Sequence, residues 1–225
     1  MTRLVVLTTD TRHHRHFVNS LPVHKAFVEQ AKPLPSWAHH PYEDEREEYE
    51  RRWWPESDEW KAPIERVENV NDAVDRIRAA EPEVIVTFGT RKLTPEVIAV
   101  CPLAFNLHGG DPQYYRGLDS HLWAIYHKDY KKLTTTLHRL TPELDDGPIV
   151  AMWPLKFAKR STIVELRAIN TAACIGLTET LVYQIPFRRQ WRLKRQLWKG
   201  RYYSHMPGVL KDICAERFAR YTASL

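Results

Sequence analysis

The chain has 225 residues, 43% hydrophobic and 27% charged, with a formal net charge of +5 and three scattered cysteines, Cys101, Cys174 and Cys214. This composition suits one sizeable globular domain with its own core. The odd, widely spaced cysteines exclude a disulfide framework and a Cys-x-x-Cys metal pair, as expected in a reducing cytoplasm. No apolar run approaches the roughly 18 residues of a membrane-spanning helix, and the N-terminal residues read as a first strand, not a signal peptide.

Residues 3–8 predict a buried strand, followed by a polar loop from Thr9 to Arg15. Phe17, Val18 and Leu21 then predict a helical stretch that Pro22 interrupts, resuming over Ala26 to Val28. Residues 33–63 break the pattern with Pro33, Pro35, Pro41, Pro55 and Pro63 and with Trp37, Trp53, Trp54 and Trp60. The charged segment from Glu43 to Arg52 has helix-forming composition, so this region reads as an excursion or surface helix. Asn71 is placed to cap a helix over Asp72–Ala80, which Pro82 ends. Val84–Phe88 is a second strong strand, and Pro95 sits at a favourable first position of a short helix. Strands are expected at 103–106, 133–140 and 149–153. Thr162-Ile163-Val164-Glu165 has capping-box form and opens a long helix through Leu181, ending at Pro186. A basic aromatic stretch and a helix after Pro207 complete the chain. Strands alternating with helices predict an α/β fold with a mostly parallel, Rossmann-like sheet, whose ligands sit beyond the carboxyl ends of the strands. The organisation expected is a domain over 1–186 and a C-terminal appendage over 187–225.

The chemistry concentrates in two segments. In Phe105-Asn106-Leu107-His108-Gly109-Gly110 the alternation of a strand points Asn106 and His108 to one side. Downstream, Leu144-Asp145-Asp146-Gly147-Pro148 is an acidic turn leading into another strand. An amide, an imidazole and a carboxylate form a coherent acyl-transfer set. The amide can donate to a developing oxyanion. The imidazole can stabilise that oxyanion or manage a proton, and the carboxylate can orient the imidazole or relay a proton through water. An Asn-x-His triplet alone recurs by chance, and a lone histidine is more often structural.

Together, Asn106-x-His108…Arg116-Gly117 and Leu144-Asp145-x-Gly147-x-Ile149 resemble the signature of the folate-dependent formyltransferases, in the right order and separation. The resemblance covers residues 82–184 well, the N-terminal strand weakly and residues 30–65 hardly at all. It implies an enzyme with Asn106, His108 and Asp145 as catalytic residues and N10-formyltetrahydrofolate as co-substrate. It implies direct acyl transfer without a metal or a covalent enzyme intermediate. It places the pterin between Phe88-Gly89-Thr90-Arg91-Lys92-Leu93 and the loop that includes Leu140, Thr141, Glu143 and Leu144. One departure stands out: where many family members have Pro-Ser-Leu-Leu-Pro after the histidine, this chain has Gly109-Gly110-Asp111-Pro112-Gln113.

The acceptor amine is expected beside Asp10, Arg12, His13 and His14, with Gly109, Gly110, Tyr115 and Arg116 also in contact. A metal site at His13, His14 and His16 is disfavoured. Trp198-Lys199-Gly200-Arg201-Tyr202-Tyr203 resembles a hairpin of the sugar N-formyltransferases, which favours a nucleotide-linked amino sugar as acceptor and a homodimer formed through the C-terminal segment. Glycinamide ribonucleotide, a hydroxylamine or another small amine are alternatives. The methionyl-tRNA branch is disfavoured because its RNA-binding domain does not fit the short tail. The basic residues from Arg188 to Arg201, with Trp191 and Trp198 among them, suit a nucleic-acid surface. The complete Asn-His-Asp set argues against a purely binding role, and no membrane partner is expected.

Overall fold

The computed structural model describes residues 2–185 and 192–225. Arg188, Arg189 and Trp191 of the basic stretch, and Pro186 as a helix terminator, lie outside the described residues. Strand β1 (Leu4–Thr9) is buried along almost its whole length. Leu4 and Val6 pack with Phe17, Val18 and Leu177, while Val5 and Leu7 pack with Phe27, Ile77 and Val97. A strand apolar on both faces belongs inside a sheet with helices on either side.

Helix α1 (Arg12–Asn19) begins earlier than the expected loop allows, so His13, His14 and Arg15 are helical. The helical expectation for Ala26–Val28 is also corrected: these residues lie in β2 (Val23–Glu29), parallel to β1. Pro22 cannot donate to a continuing helix, and the β-branched and aromatic run after it is buried in the sheet interior. Within the excursion, α2 (Tyr42–Trp53) is a helix as expected, but one side faces inward: Tyr42, Glu43 and Glu50 are buried. Strand β3 (Ile64–Val67), which carries no clear sequence signal, pairs with β2. The cap near residue 70 is Asn69, not Asn71. Asn69 is extended and accepts the Asn71 N–H, starting a 3-10 turn at Val70 that leads into α3 (Val74–Ala79).

Strand β4 (Val84–Phe88), α4 (Pro95–Ile98) and β5 (Ala104–His108) follow the expected order. Strand β6 (Tyr115–Gly117) and α5 (Ser120–Tyr126) were not anticipated. Strands β7 (Thr134–Arg139) and β8 (Ile149–Pro154) form an antiparallel edge. The Thr162–Glu165 capping box is present and leads through one 3-10 turn into α6 (Leu166–Gln184). The segment expected to form a hairpin instead contributes β9 (Arg201–Tyr203), which pairs parallel with β6. The final helix, α7 (Gly208–Ala223), joins a third core cluster through Cys214 and Phe218, against Leu122 and Ile125 of α5.

The main sheet has the order β3-β2-β1-β4-β5-β7-β8. It is parallel through β5, and β5–β7 and β7–β8 are antiparallel. The strand order reverses between β1 and β4. Their carboxyl ends therefore open a crevice at the place where α/β sheets bind ligands.

Candidate active site

Sheet register assembles the centre of the site. Thr87 of β4 pairs with Asn106 of β5, and Asn106 pairs with His138 of β7. These three residues form one rung across the sheet. The Thr87 hydroxyl donates to Asn106 Oδ1 at 2.6 Å. That fixes the amide orientation and turns Nδ2 toward His138 Nε2 (3.1 Å) and Asp145 Oδ1 (3.3 Å). His138 Nδ1–H donates to the Arg139 carbonyl at 2.8 Å, leaving Nε2 to accept from Asn106.

His108 lies two residues further along β5 and is buried. Its Nε2–H donates to the Tyr115 carbonyl at 2.8 Å, and its Nδ1 lies 3.5 Å from Asp145 Oδ2. Asp145 therefore bridges the amide and the imidazole. Its backbone adopts a left-handed φ of 49°, a conformation aspartate tolerates better than most residues. The turn is pinned from several directions. The Gly117 N–H donates to Asp145 Oδ2 at 2.9 Å, and the Arg116 guanidinium donates to the Leu144 carbonyl. Gln196 Nε2 donates to the carbonyls of Asp145 (3.0 Å) and Gly147 (2.9 Å). Burial alone would raise the Asp145 carboxyl. The charge of His108, contacts with His138 and the Gly117 N–H outweigh it and hold the carboxyl well below the usual carboxylate range.

The constellation opens on a cavity of about 620 Å³. It is lined by Phe88, Gly89, Thr90, Arg91, Lys92 and Leu93, and by Leu140, Thr141, Glu143 and Leu144. The first of these segments is anchored from behind. Buried Glu29 lies 2.6 Å from Arg91 Nε and accepts the Val70 N–H. Asn71 donates to the Lys92 carbonyl and accepts the Thr94 N–H, so the residue expected as a helix cap holds the cavity loop instead. Gly89 has φ +78°, and a Cβ there would stand 2.2 Å from His14 Nε2. Only glycine meets both demands.

His13 and His14, next to Phe88 and Gly89, also line it, as do Tyr42 and Arg46 of α2, Asp119 and His121, and Arg167 and Asn170 of α6. His13 and His14 are kept neutral: burial lowers the pKa of both, that of His14 to about 3. Their Nδ1 atoms meet the Thr11 hydroxyl at 2.9 and 2.8 Å. The Gly109-Gly110 departure has a steric reason. A Cβ at Gly110 would lie 2.9 Å from Ser120 Cβ and 3.1 Å from His108 Nε2, and one at Gly109 3.2 Å from His121 Cε1. His121 and Asn170 occupy the space a larger residue would fill. His121 Nε2–H donates to the Thr134 carbonyl at 2.6 Å, and burial lowers its pKa to about 4, leaving a neutral ring. Asn170 accepts the Thr135 hydroxyl, so its Nδ2 remains a donor.

Of the residues expected to meet the acceptor, His13, His14 and Gly109 line the cavity, while Asp10, Arg12, Gly110, Tyr115 and Arg116 do not. Asp10 pairs with Arg15 (2.8 Å) and Arg66 (2.5 Å), and Arg12 with Asp58 and the Trp54 carbonyl. Both are engaged by these partners outside the cavity lining. Tyr115 and Arg116 act from behind, through His108 and Leu144, and the Gly110 carbonyl accepts the Thr136 hydroxyl. Trp54 is stacked on His16 at 4.1 Å and Trp53 is exposed, so the pair presents no joint face to the cavity. Thr87, His138, Arg46, His121, Arg167 and Asn170 were not singled out from sequence. Only the register of β4, β5 and β7 could have pointed to Thr87 and His138. Among the described residues no cluster of three or more His, Cys, Asp or Glu is arranged to hold a metal ion, and no helix is long and apolar enough to cross a membrane.

A family model described as formyl transferase matches residues 39–179. The chain is similar to the bifunctional polymyxin resistance protein ArnA of Wigglesworthia glossinidia brevipalpis, with 31% identity over 126 residues that cover 54% of this chain and 19% of that protein. It thus spans about a fifth of that relative's length. Among solved structures it is similar to a sugar N-formyltransferase from a Shewanella species, with TM-score 0.61, 15% identity, and 90% and 76% of the two chains covered. The formyltransferase PseJ of Anoxybacillus kamchatkensis, in complex with UDP-4,6-dideoxy-4-formamido-L-AltNAc and tetrahydrofolate, matches with TM-score 0.53, 18% identity, and 90% and 85% covered. At these identities the two structures establish a common fold.

Proposed function

The chain belongs to the formyl transferase family, and on that premise we propose that it moves a formyl group from N10-formyltetrahydrofolate to the primary amine of a nucleotide-linked sugar. The observation that carries this reading is Asp145 bridging Asn106 and His108 where the strand-end crevice opens into the cavity. Residues of the segments 88–93 and 140–144 line that cavity, and in this reading the folate lies against them. The bound folate supplies the activated formyl group. The amine is placed beside the cavity residues His13, Arg46 and Arg167. That PseJ was crystallised with a UDP-sugar and tetrahydrofolate supports the choice of acceptor and co-substrate.

In this reading Asn106 and His108 face the formyl oxygen as negative charge develops on it. His108 Nδ1 stands 3.5 Å from Asp145 and Asn106 Nδ2 stands 3.3 Å from it, both longer than strong ionic hydrogen bonds. Each N–H can therefore turn to an oxyanion without losing a tight partner. Thr87 and His138 keep the Asn106 amide aligned. Tyr115 fixes a proton on His108 Nε2, so a protonated ring presents Nδ1–H between Asp145 and the cavity. A carboxylate held so far below its ordinary range acts by charge and orientation more than as a resting base.

The test is an acceptor screen with N10-formyltetrahydrofolate, read by folate absorbance and product mass. Amino-sugar nucleotides, glycinamide ribonucleotide and hydroxylamines are offered in parallel. A formylated sugar nucleotide is expected; formylation of another amine alone would replace the acceptor, and no formylation of any would sink the reading. A homodimer through the C-terminal segment is part of the proposal and is checked by light scattering.

A further inference from the structure

The cavity is lined by a cation, Arg46, that has no ion-pair partner among the described residues. Arg46, on α2, donates from Nη1 to the Tyr42 hydroxyl at 2.8 Å and lies 5.1 Å from the centre of that ring. Its Nε is buried with no hydrogen-bond partner among the described residues. Two acids on the same inward face of α2 are already taken. Glu43 pairs with buried Lys211 at 2.5 Å, and fully buried Glu50 accepts Nε and Nη2 of Arg167 at 2.5 and 2.7 Å. Asp119, which also lines the cavity, accepts the Met206 N–H at 2.8 Å and lies 3.7 Å from His205 Nδ1. Arg46 and Arg167 both line the cavity, and the carboxylates of Glu43, Glu50 and Asp119 are engaged by Lys211, Arg167 and the Met206 N–H. His13 reports the resulting potential: burial, then His14, Arg167 and Arg46, push its imidazole well below its ordinary value.

A guanidinium that lines a cavity and has no carboxylate partner among the described residues is set for an oxyanion, because a charge-assisted hydrogen bond offsets the cost of partial burial. We propose that Arg46, beside Arg167, forms an anion subsite that takes a carboxylate or phosphate group carried by the acceptor amine. The word acceptor rests on the formyl-transfer reading; the anion subsite does not. Neither Arg12 nor Arg15 competes for this role, since Asp58 and Asp10 engage them. The subsite makes the excursion that carries α2 a determinant of specificity, because α2 delivers Arg46 to the cavity.

The test uses the intact chain with inorganic phosphate and acetate as probes, at constant ionic strength, reading the thermal unfolding midpoint against probe concentration. A saturable rise is expected with at least one probe, with half-saturation moved about tenfold or more in Arg46→Gln. Arg46→Lys keeps the charge and should retain most of the response. A stronger response to phosphate identifies a phosphorylated acceptor, and a stronger response to acetate a carboxylate. No saturable rise with either probe, or the same half-saturation in Arg46→Gln, overturns the subsite. Arg167→Gln is avoided because it would leave Glu50 buried and unpaired. Tetrahydrofolate binding is measured in parallel and should be equal in the parent and Arg46→Gln. If the parent binds no tetrahydrofolate but phosphate protection still depends on Arg46, the formyl-transfer reading fails and the subsite stands.

Discussion

Replacing Asp145 by Asn keeps the shape of the turn and removes one buried charge. At an effective dielectric constant of about 20, unit charges 3.5 Å apart attract by about 5 kcal/mol, the separation of Asp145 Oδ2 and His108 Nδ1. An asparagine also cannot serve every donor that now points at the carboxylate. The Gly117 N–H at 2.9 Å and Asn106 Nδ2 at 3.3 Å would compete for its single oxygen. Relaxation and residual water return part of the loss, so about 3 to 4 kcal/mol should reach the transition state, a fall in turnover of roughly 100- to 1,000-fold. The assay is formyl transfer followed through folate absorbance, with thermal unfolding to establish that the variant is folded. The substitution has a pH signature as well. Asp145 is held below its unfolded value, so its contribution to stability is complete above about pH 4 and is lost as the pH falls below that. The stability difference between parent and Asp145→Asn should therefore shrink in acid. A folded variant turning over within a few-fold of the parent would refute the role given to Asp145.

Other perturbations test the surroundings. His14 and His121 are neutral in the fold, with pKa values of about 3 and 4. The unfolded chain takes up protons as the pH falls through about 6.5 while these rings do not, so each should cost about 2 kcal/mol of stability by pH 5. Denaturant midpoints at pH 7.5 and 5 should diverge less in His14→Asn than in the parent; equal divergence would mean that His14 is not buried neutral. Gly110→Ser should cut turnover more than Gly109→Ala, because its Cβ meets Ser120 Cβ at 2.9 Å and crowds His108; steady-state kinetics of the two variants decide. Glu50→Gln strands Arg167 in the interior and should cost about 3 to 5 kcal/mol by chemical denaturation. Replacing both residues by apolar ones should recover much of that loss, and failure to recover would show that the pair does more than neutralise itself.

Much of this molecule is written locally. Strands β1, β4, β5 and β8 are rich in apolar residues and β7 is opened by three β-branched threonines, so composition and punctuation suffice to find them. The Thr162–Glu165 box announces α6 because its hydrogen bonds are made within one turn. Asn106, His108 and Asp145 are legible because strand alternation and two ordered motifs constrain them together.

What lies beyond one element was not legible. His138 is an ordinary strand residue until the antiparallel register of β7 sets it opposite Asn106, and a shift of one residue would turn it to the other face. Ala26–Val28 became strand because β1 offered a parallel partner that local propensity cannot see. The aromatic tail strand found its partner in β6, some 86 positions earlier, instead of in a hairpin. Helix α2 reads as a charged surface segment, yet Glu50 meets Arg167 across 117 positions and Arg46 is left facing the cavity. By itself the sequence pointed to Asn106, His108 and Asp145 and to the strands that lead to them. Which side chains line the cavity around them was decided only by tertiary structure, because those contacts are made between segments whose mutual placement depends on register and packing across the whole chain.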